Sequence, residues 1–459
     1  MARRVPPSWL TVVGVLLPAL LVGWLSLRFA PDLPMVDEWS LVQDIDHFLD
    51  GSLTWSEVWR SHNGHRIPLP RMIQVLLAVV SDWDVRWPIA LGWVAMLVAA
   101  TVAWRRLSPA LADLPLATRA ATLAVAALAM FSTNQYENWL WGFMLCAFLA
   151  VATTTVSLVL LAADGLSWPR FLGALALALA ASLSFGSALA VWPAGFLVLL
   201  LSPDRRRRIP QLTAWGAAAL GLAWIYLSPA PGDANATGAG GILSQPLTGL
   251  YFLLSFLGAP VVSYAGSAWP PRDLGVGFAV GLVALAVLLS SLVSWWRRGR
   301  PALASWARFA VGWAAVSIGA GFLSALGRAD SGGPGAFASR YATWSTPLWL
   351  VLLVMAARAA RVEEMGAGRP ARLCLSLALA ASIGASWIEA LPNFRSRQDV
   401  LALADDALYH GGPESLLSYM TPDVPQIHAG RPVIERRRLS VFRHPRRPRL
   451  AEPIALADY

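Results

Sequence analysis

The sequence predicts an all-α, polytopic membrane protein of about eleven transmembrane helices, with amphipathic helices in its first external loop. Three observations carry that class. The 459 residues are 56% hydrophobic and only 14% charged, against roughly 25% charged in a soluble domain. Apolar runs of about 18–22 residues recur along the chain, each long enough to cross a hydrocarbon core of about 30 Å as a helix. The runs are continuous rather than alternating, which excludes a membrane barrel.

The first run, residues 9–29, follows "MARR" and has no small-residue cleavage site after it, so it is expected to be a retained anchor rather than a removed signal. Further spans are expected at roughly 87–104, 120–133, 139–163, 171–186, 187–202, 211–228, 274–296, 304–326, 343–360 and 371–391. With the amino terminus in the cytoplasm, Arg105 and Arg106, Arg205 to Arg208, Arg297, Arg298 and Arg300, and Arg358, Arg361, Arg369 and Arg372 all fall on the cytoplasmic side. Residues 247–266 are apolar too, but a crossing there would move "RRGR" outside. A re-entrant or in-plane element broken at Gly258 and Pro260 is expected instead.

This arrangement divides the chain into a transmembrane part, 1–391, and a small external tail, 392–459. The large first external loop is 30–86, and 134–138, 229–273 and 327–342 lie on the same face. The basic residues are all Arg, and they sit mostly in short loops and the tail, so the net charge of +9 does not point to nucleic acid. Cys146 and Cys374 lie far apart in apolar runs and suggest neither a disulfide framework nor a thiolate metal site. The sequon at Asn235 lies in an expected external loop.

The polar groups that could carry chemistry concentrate on that face. Residues 38–50 place Trp39, Val42, Ile45, Phe48 and Leu49 at helical spacing, an amphipathic helix suited to the bilayer surface and ended by Asp50-Gly51. Thr54 and Glu57 form a capping box for a short helix through Trp55 and Trp59. His62-Asn63-Gly64 is expected to stop that helix, with Pro68 and Pro70 keeping the chain extended before Arg71.

Asp37 and Glu38 emerge at the water–lipid boundary, where partial shielding raises a carboxyl pKa towards what a general base needs. The pair equally suits a divalent cation, with Asp32 as co-ligand, or a plain solvated loop. His62 and His65 alone make two metal ligands, so with Arg66 and Arg71 they fit an anion better, whether a bound phosphate or a lipid headgroup. "STNQYENWLWG" supplies Asn134, Gln135, Glu137 and Asn138 beside Trp139 and Trp141, a composition common to sugar sites and to tight hairpins. "GRADSGGPGAFASRYATWS" supplies Arg328, Arg340 and Tyr341 around a Gly-rich loop, suited to neutralising a phosphate or to anchoring at the interface. Ionisable residues are scarce inside the spans, which argues against secondary transport, and no P-loop is present.

An acidic pair just after the first span, a large first external loop with short interfacial helices, about eleven spans and an external tail resemble the integral-membrane glycosyltransferases of the GT-C superfamily. "DEW", "HNGHR", "NQYENWLWGF" and "SRYATWS" resemble an uncharacterised bacterial subgroup with an HNEHR-like motif, although Gly64 stands where that motif often has an acid. The resemblance implies a polyprenyl-phosphate sugar donor, a glycan, lipid or protein acceptor, and transfer with inversion on the outer face of a cytoplasmic membrane. It makes Asp37 the base with Glu38 as neighbour or substitute, and gives the donor phosphate to Arg66, Arg71 and Arg340. It names no certain cofactor and leaves a divalent cation open. A lipid-linked polysaccharide polymerase or ligase, a flippase or transporter, and a structural membrane protein remain as alternatives.

Overall fold

The computed structural model describes residues 9–228, 245–261, 274–299, 302–328, 335–359 and 369–443. Helix dominates them, and the strands are two segments of two residues each. A helix covers most of each of the eleven apolar runs. Five are long and apolar enough to cross a membrane: Arg86–Leu111, Leu116–Leu140, Gly142–Leu161, Gly275–Arg297 and Ser305–Arg328. Six shorter apolar helices accompany them, so a lipid bilayer is the environment this surface fits.

The bundle elements are α1 (Trp9–Phe29), α5 (Arg86–Leu107), α6 (Leu116–Met130), α8 (Leu145–Leu161), α9 (Trp168–Ser182), α10 (Val191–Leu200) and α11 (Arg205–Leu227). They continue with α12 (Pro246–Gly258), α13 (Leu274–Arg297), α14 (Ser305–Arg328), α15 (Ala342–Ala359) and α16 (Arg369–His410). One large apolar cluster runs through them, including the buried Trp139, Trp215, Trp313, Trp344 and Trp349. At one end arginines cap the carbonyls that helix termini leave unsatisfied. Arg106 donates to the Val159 carbonyl, Arg207 to that of Leu166, and Arg308 to those of Leu303 and Ala162 and to Asp164.

In the run 247–266 the helix ends at Gly258, one of the two expected break points, and residues 262–266 lie outside the described residues. Helix α12 has 13 residues, at about 1.5 Å of rise each too short to cross a bilayer alone. The carbonyls exposed by the break have donors: Trp349 Nε1 bonds Leu257 at 2.7 Å and Ser382 Oγ reaches Pro260 at 3.4 Å. In a low-dielectric interior such groups must be satisfied by protein. The helix packs against α13 at backbone contact, since a Cβ on Gly258 would lie 1.9 Å from the Gly277 carbonyl oxygen, and one on Gly281 would lie 1.9 Å from that of Leu254.

The opposite end carries the polar superstructure. It comprises α2 (Val42–Leu49), α3 (Trp55–Trp59), the hairpin β1 (Ser61–His62) and β2 (His65–Arg66), and α4 (Pro68–Ser81). The Thr54–Glu57 capping box forms as expected, with the Thr54 N–H donating to Glu57 at 2.7 Å. Two other expectations need correction. Pro68 does not keep the chain extended: it starts α4, because a proline in the first helical turn gives up only an N–H that would be unsatisfied anyway. His62-Asn63-Gly64 is not a helix stop either. Asn63 (φ 48°) and Gly64 (φ 76°) are the two left-handed residues of a tight hairpin pairing Ser61 with Arg66 and His62 with His65.

Helix α2 does not offer its apolar face to lipid. Trp39, Val42 and Ile45 form a second core with Met420, Ile427, Ile434 and Val441 of the carboxy-terminal segment, which folds as α17 (Glu414–Leu417), α18 (Val424–Arg437) and the turn Ser440–Arg443. Arg436 and Arg437 pair with Asp46 at 2.8 and 2.7 Å, Arg437 also bonds Asp50, and Arg443 bonds Asp32 and Asp84. First loop and tail therefore share one core. Exposed apolar side chains of that region include Trp55, Leu69, Leu76 and Val80 on α3 and α4, with Leu49 at the end of α2 and Tyr419 in the carboxy-terminal segment.

The α12–α13 crossing has no room for a side chain. Gly281→Ala is expected to destabilise the protein by about 1–3 kcal/mol, read as thermal unfolding in detergent. Gly221→Ala, where a Cβ meets nothing within 4 Å, should be neutral or slightly stabilising.

Candidate functional site

The acidic pair sits on a 3-10 turn, Val36–Leu41, just beyond α1. Successive residues of a 3-10 turn project about 120° apart, and the two carboxyls enter different surroundings. Glu38 faces inward and is 1% exposed. Its Oε2 accepts the Met35 N–H at 2.8 Å, and its Oε1 occupies the space left by Gly142, where a Cβ would approach it to 2.6 Å. Burial pushes the Glu38 pKa up to about 8; the Met35 and Phe143 N–H groups pull against that, and the charge of Asp37 adds to it.

Asp37 faces outward. Its Oδ1 lies 3.2 Å from His62 Nε2 and accepts from Asn63 Nδ2 at 3.3 Å. The hairpin explains why His62 is there. Paired residues across two antiparallel strands share a face, so His62 and His65 project together while Arg66 projects to the other side. His62 lies against Phe143, ring centroids 4.9 Å apart, and His65 stacks on Phe185 at 5.2 Å. The His65 ring fills the notch over Gly186, where a Cβ would come 2.1 Å from Nδ1. Although half-buried by surface area, His65 is enclosed by protein mass. Burial, helped by the charges of Arg328 and His62, lowers its pKa to about 4 and leaves it neutral at pH 7.

Arg66 and Arg71 belong to the scaffold around this site. Arg66 is buried and donates to the Ser228 carbonyl at 2.8 Å. Arg71 donates from one nitrogen to the carbonyls of Glu57, Val58 and Arg60, each at 2.9 Å, with its Nε 3.5 Å from Asp44. Burial lowers the Arg71 pKa to about 10, and the nearby Arg60 adds to this. Arg60 bonds both oxygens of the fully buried Asp44 at 2.6 and 2.9 Å. Asp32, the expected co-ligand, is held by Arg443.

The segment 133–141 meets 339–343 at the rim. Gln135 donates to the Met130 carbonyl at 3.1 Å and accepts from Thr343, and Asn138 donates to Thr343 at 2.7 Å and to the Arg340 carbonyl at 3.1 Å. Both amides are buried. Asn134 lines a cavity of about 10 Å³ with Ser132 and Thr346, room for a water at most. Glu137 accepts from Ser339 at 2.9 Å and from the Arg340 N–H at 3.2 Å, and lies 3.6 Å from the Arg340 guanidinium. That guanidinium sits 5.4 Å above the Tyr341 ring. Burial alone would lower the Arg340 pKa, but Glu137, Tyr341 and Asp37 together raise it.

Asp37 and His62 pair directly, His65 feels the charges of Arg328, His62 and Asp37, and Arg340 feels that of Asp37. Sequence reasoning overlooked Asn63 and Arg397. Arg397 stands on α16 one turn before the buried Leu401, and its charge reaches Tyr136. Its buried Nε has no hydrogen-bond partner among the described residues. The only sequence signal was an arginine just past the last apolar run. Among the described residues no three His, Cys, Asp or Glu side chains gather to hold a metal ion.

No family model, curated protein or solved structure matches this chain. The chemistry therefore follows from the arrangement itself: a partly exposed carboxylate paired with imidazole can take a proton, and guanidinium groups beside it can stabilise an anion.

Glu38 should show in the pH dependence of stability. Its folded pKa of about 8 lies above the ordinary 4.5, so its contribution is fully present below about pH 4.5, falls as pH rises, and is lost by about pH 8. The stability difference between the native protein and Glu38→Gln should shift by on the order of a few kcal/mol across that window, in favour of Gln at alkaline pH. Denaturation in detergent over the range measures it.

Proposed function

We propose that the protein transfers a sugar from a polyprenyl-phosphate donor to a glycan, lipid or protein acceptor, on the side of a bacterial cytoplasmic membrane away from the cytosol. In this reading the chain crosses the membrane about eleven times with its amino terminus inside, as the distribution of arginines favours. The observation that carries the reading is the partly exposed Asp37 carboxylate, held by His62 and Asn63, with the Arg340 guanidinium near enough to feel its charge and Arg328 near enough to act on His65.

Asp37 takes the proton of the acceptor hydroxyl as its oxygen attacks the anomeric carbon. The bond from that carbon to the phosphate oxygen breaks, and the departing phosphate keeps the electron pair. The chemistry needs a base on one side of the sugar and positive charge on the other, because the leaving group becomes more negative as the bond opens. Since Arg66 and Arg71 are engaged by carbonyls, the phosphate falls to Arg340 and Arg328, with Arg397 beside them. His62 keeps the carboxylate oriented. Neutral His65 packs the hairpin against the bundle, and Glu38 stands behind the turn as its support rather than as a second base.

Purified protein given a polyprenyl-phosphate sugar and a candidate acceptor should release polyprenyl phosphate and form glycosylated product. Asp37→Asn is expected to lower turnover about 10²–10⁴-fold, with donor binding retained. A polymerase or ligase working through arginine and histidine would keep its activity in that variant, and a flippase would leave the donor intact in every variant. Arg340→Ala should weaken donor binding and lower turnover together, because the same charge meets the phosphate before and during bond cleavage.

A further inference from the structure

The turn that carries the acidic pair begins with a conformation its sequence does not favour. Val36 has φ 44°, the left-handed region, which a β-branched side chain rarely occupies. Such a conformation persists where the surroundings over-determine it. Here three hydrogen bonds do so, beside the turn's own bond from the Glu38 N–H to the Met35 carbonyl at 2.9 Å. The Val36 N–H donates to the Met420 carbonyl at 2.8 Å, the Met35 N–H donates to Glu38 at 2.8 Å, and Trp141 Nε1 donates to the Met35 carbonyl at 3.0 Å. Two of these partners lie close to the turn, one within it and one in the rim segment packed on it. Met420 comes from the far end of the chain.

Met420 is itself fully buried between α17 and α18. The segment bearing it docks around the turn. Gly430 of α18 packs against Trp39 and Val42, its would-be Cβ 3.1 and 3.2 Å from their side chains. The ion pairs from Arg436 and Arg437 to Asp46 and Asp50, and from Arg443 to Asp32 and Asp84, clasp the segment on two sides. The Arg443 pairs are well shielded, with about an eighth of each side chain exposed, so salt screens them less than an open surface pair.

We infer that residues 412–443 are a positioning element: held down by the arginine–aspartate clasp, they keep Val36 left-handed through the Met420 carbonyl and so aim Asp37 at His62. If the segment only covered apolar surface, its release would expose Trp39, Val42 and Ile45 but leave the Val36 bend held by its three other hydrogen bonds. The consequence for sugar transfer rests on the proposed function; the control of the turn does not.

Hydrogen exchange followed by mass spectrometry tests this on the full chain in detergent, without any substrate. The triple variant Arg436→Glu, Arg437→Glu, Arg443→Glu places like charges against each aspartate. Peptides spanning 424–437 and 33–41 should both exchange about tenfold faster or more, and Asp37 should label faster with a carboxyl reagent. Peptides within 145–161 should be unchanged, as should all of these in Arg438→Glu. Should the triple variant fail to fold, Arg437→Gln removes attraction without adding repulsion and should give the same pattern at smaller amplitude. Release of 424–437 with 33–41 still protected would overturn the inference. Unchanged protection of both would overturn it equally, by showing that the clasp does not dock the segment. Loss of sugar transfer in some other variant would touch only the proposed function.

Discussion

Glu38 is the group on which the acidic site turns. Buried behind the 3-10 turn, it accepts the Met35 N–H and fills the space over Gly142, tying the emergent chain to the loop between α7 (Tyr136–Leu140) and α8. Successive residues of the turn project about 120° apart, so an inward Glu38 leaves Asp37 to a partly exposed side, where His62 and Asn63 of the hairpin meet it. A carboxyl that burial keeps largely protonated near pH 7 can do this without leaving a buried charge unpaired, the costliest thing a protein interior can hold. The two acids of one dipeptide therefore differ in role through environment alone.

Apolar length and arginine placement made most of the helical framework legible, because a helix that crosses lipid must be long, continuous and flanked by charge. The break at Gly258 was legible for the same reason, proline and glycine being poor continuations. What escaped was information carried by partners. The amphipathic pattern of residues 38–50 says that one face of α2 is covered, but lipid and the helix of residues 424–437 are equally apolar covers. Pro68 and Pro70 read as breakers unless the helix is known to start there. Asn63-Gly64 is a strong hairpin signal, yet strands of two residues leave no alternation to support it.

Residue type indicated the candidate site better than it indicated roles. Asp37 does pair with His62, and His65 shares the hairpin face of His62, whereas the amides of Gln135 and Asn138 are taken up by the Met130 and Arg340 carbonyls and by Thr343. An arginine looks the same in a sequence whether it awaits an anion or closes a scaffold. Arg71 illustrates the second case: a terminal nitrogen is shared among three carbonyls while its Nε lies 3.5 Å from Asp44, a spread of contacts along a planar fork that a point-charge ammonium does not cover. The arginines at the opposite end act similarly, so much of this chain's positive charge serves as mortar between helix ends.

The close crossing of α12 and α13 has a mechanical consequence. Two backbones in direct contact, with glycine on both sides, have no layer of side chains to deform between them. They must translate and tilt as one stiff beam, anchored by Trp349 and Ser382 on neighbouring helices. Any widening of the bundle that admits a bulky lipid-borne molecule is therefore taken up at other seams, where longer side chains can re-pack.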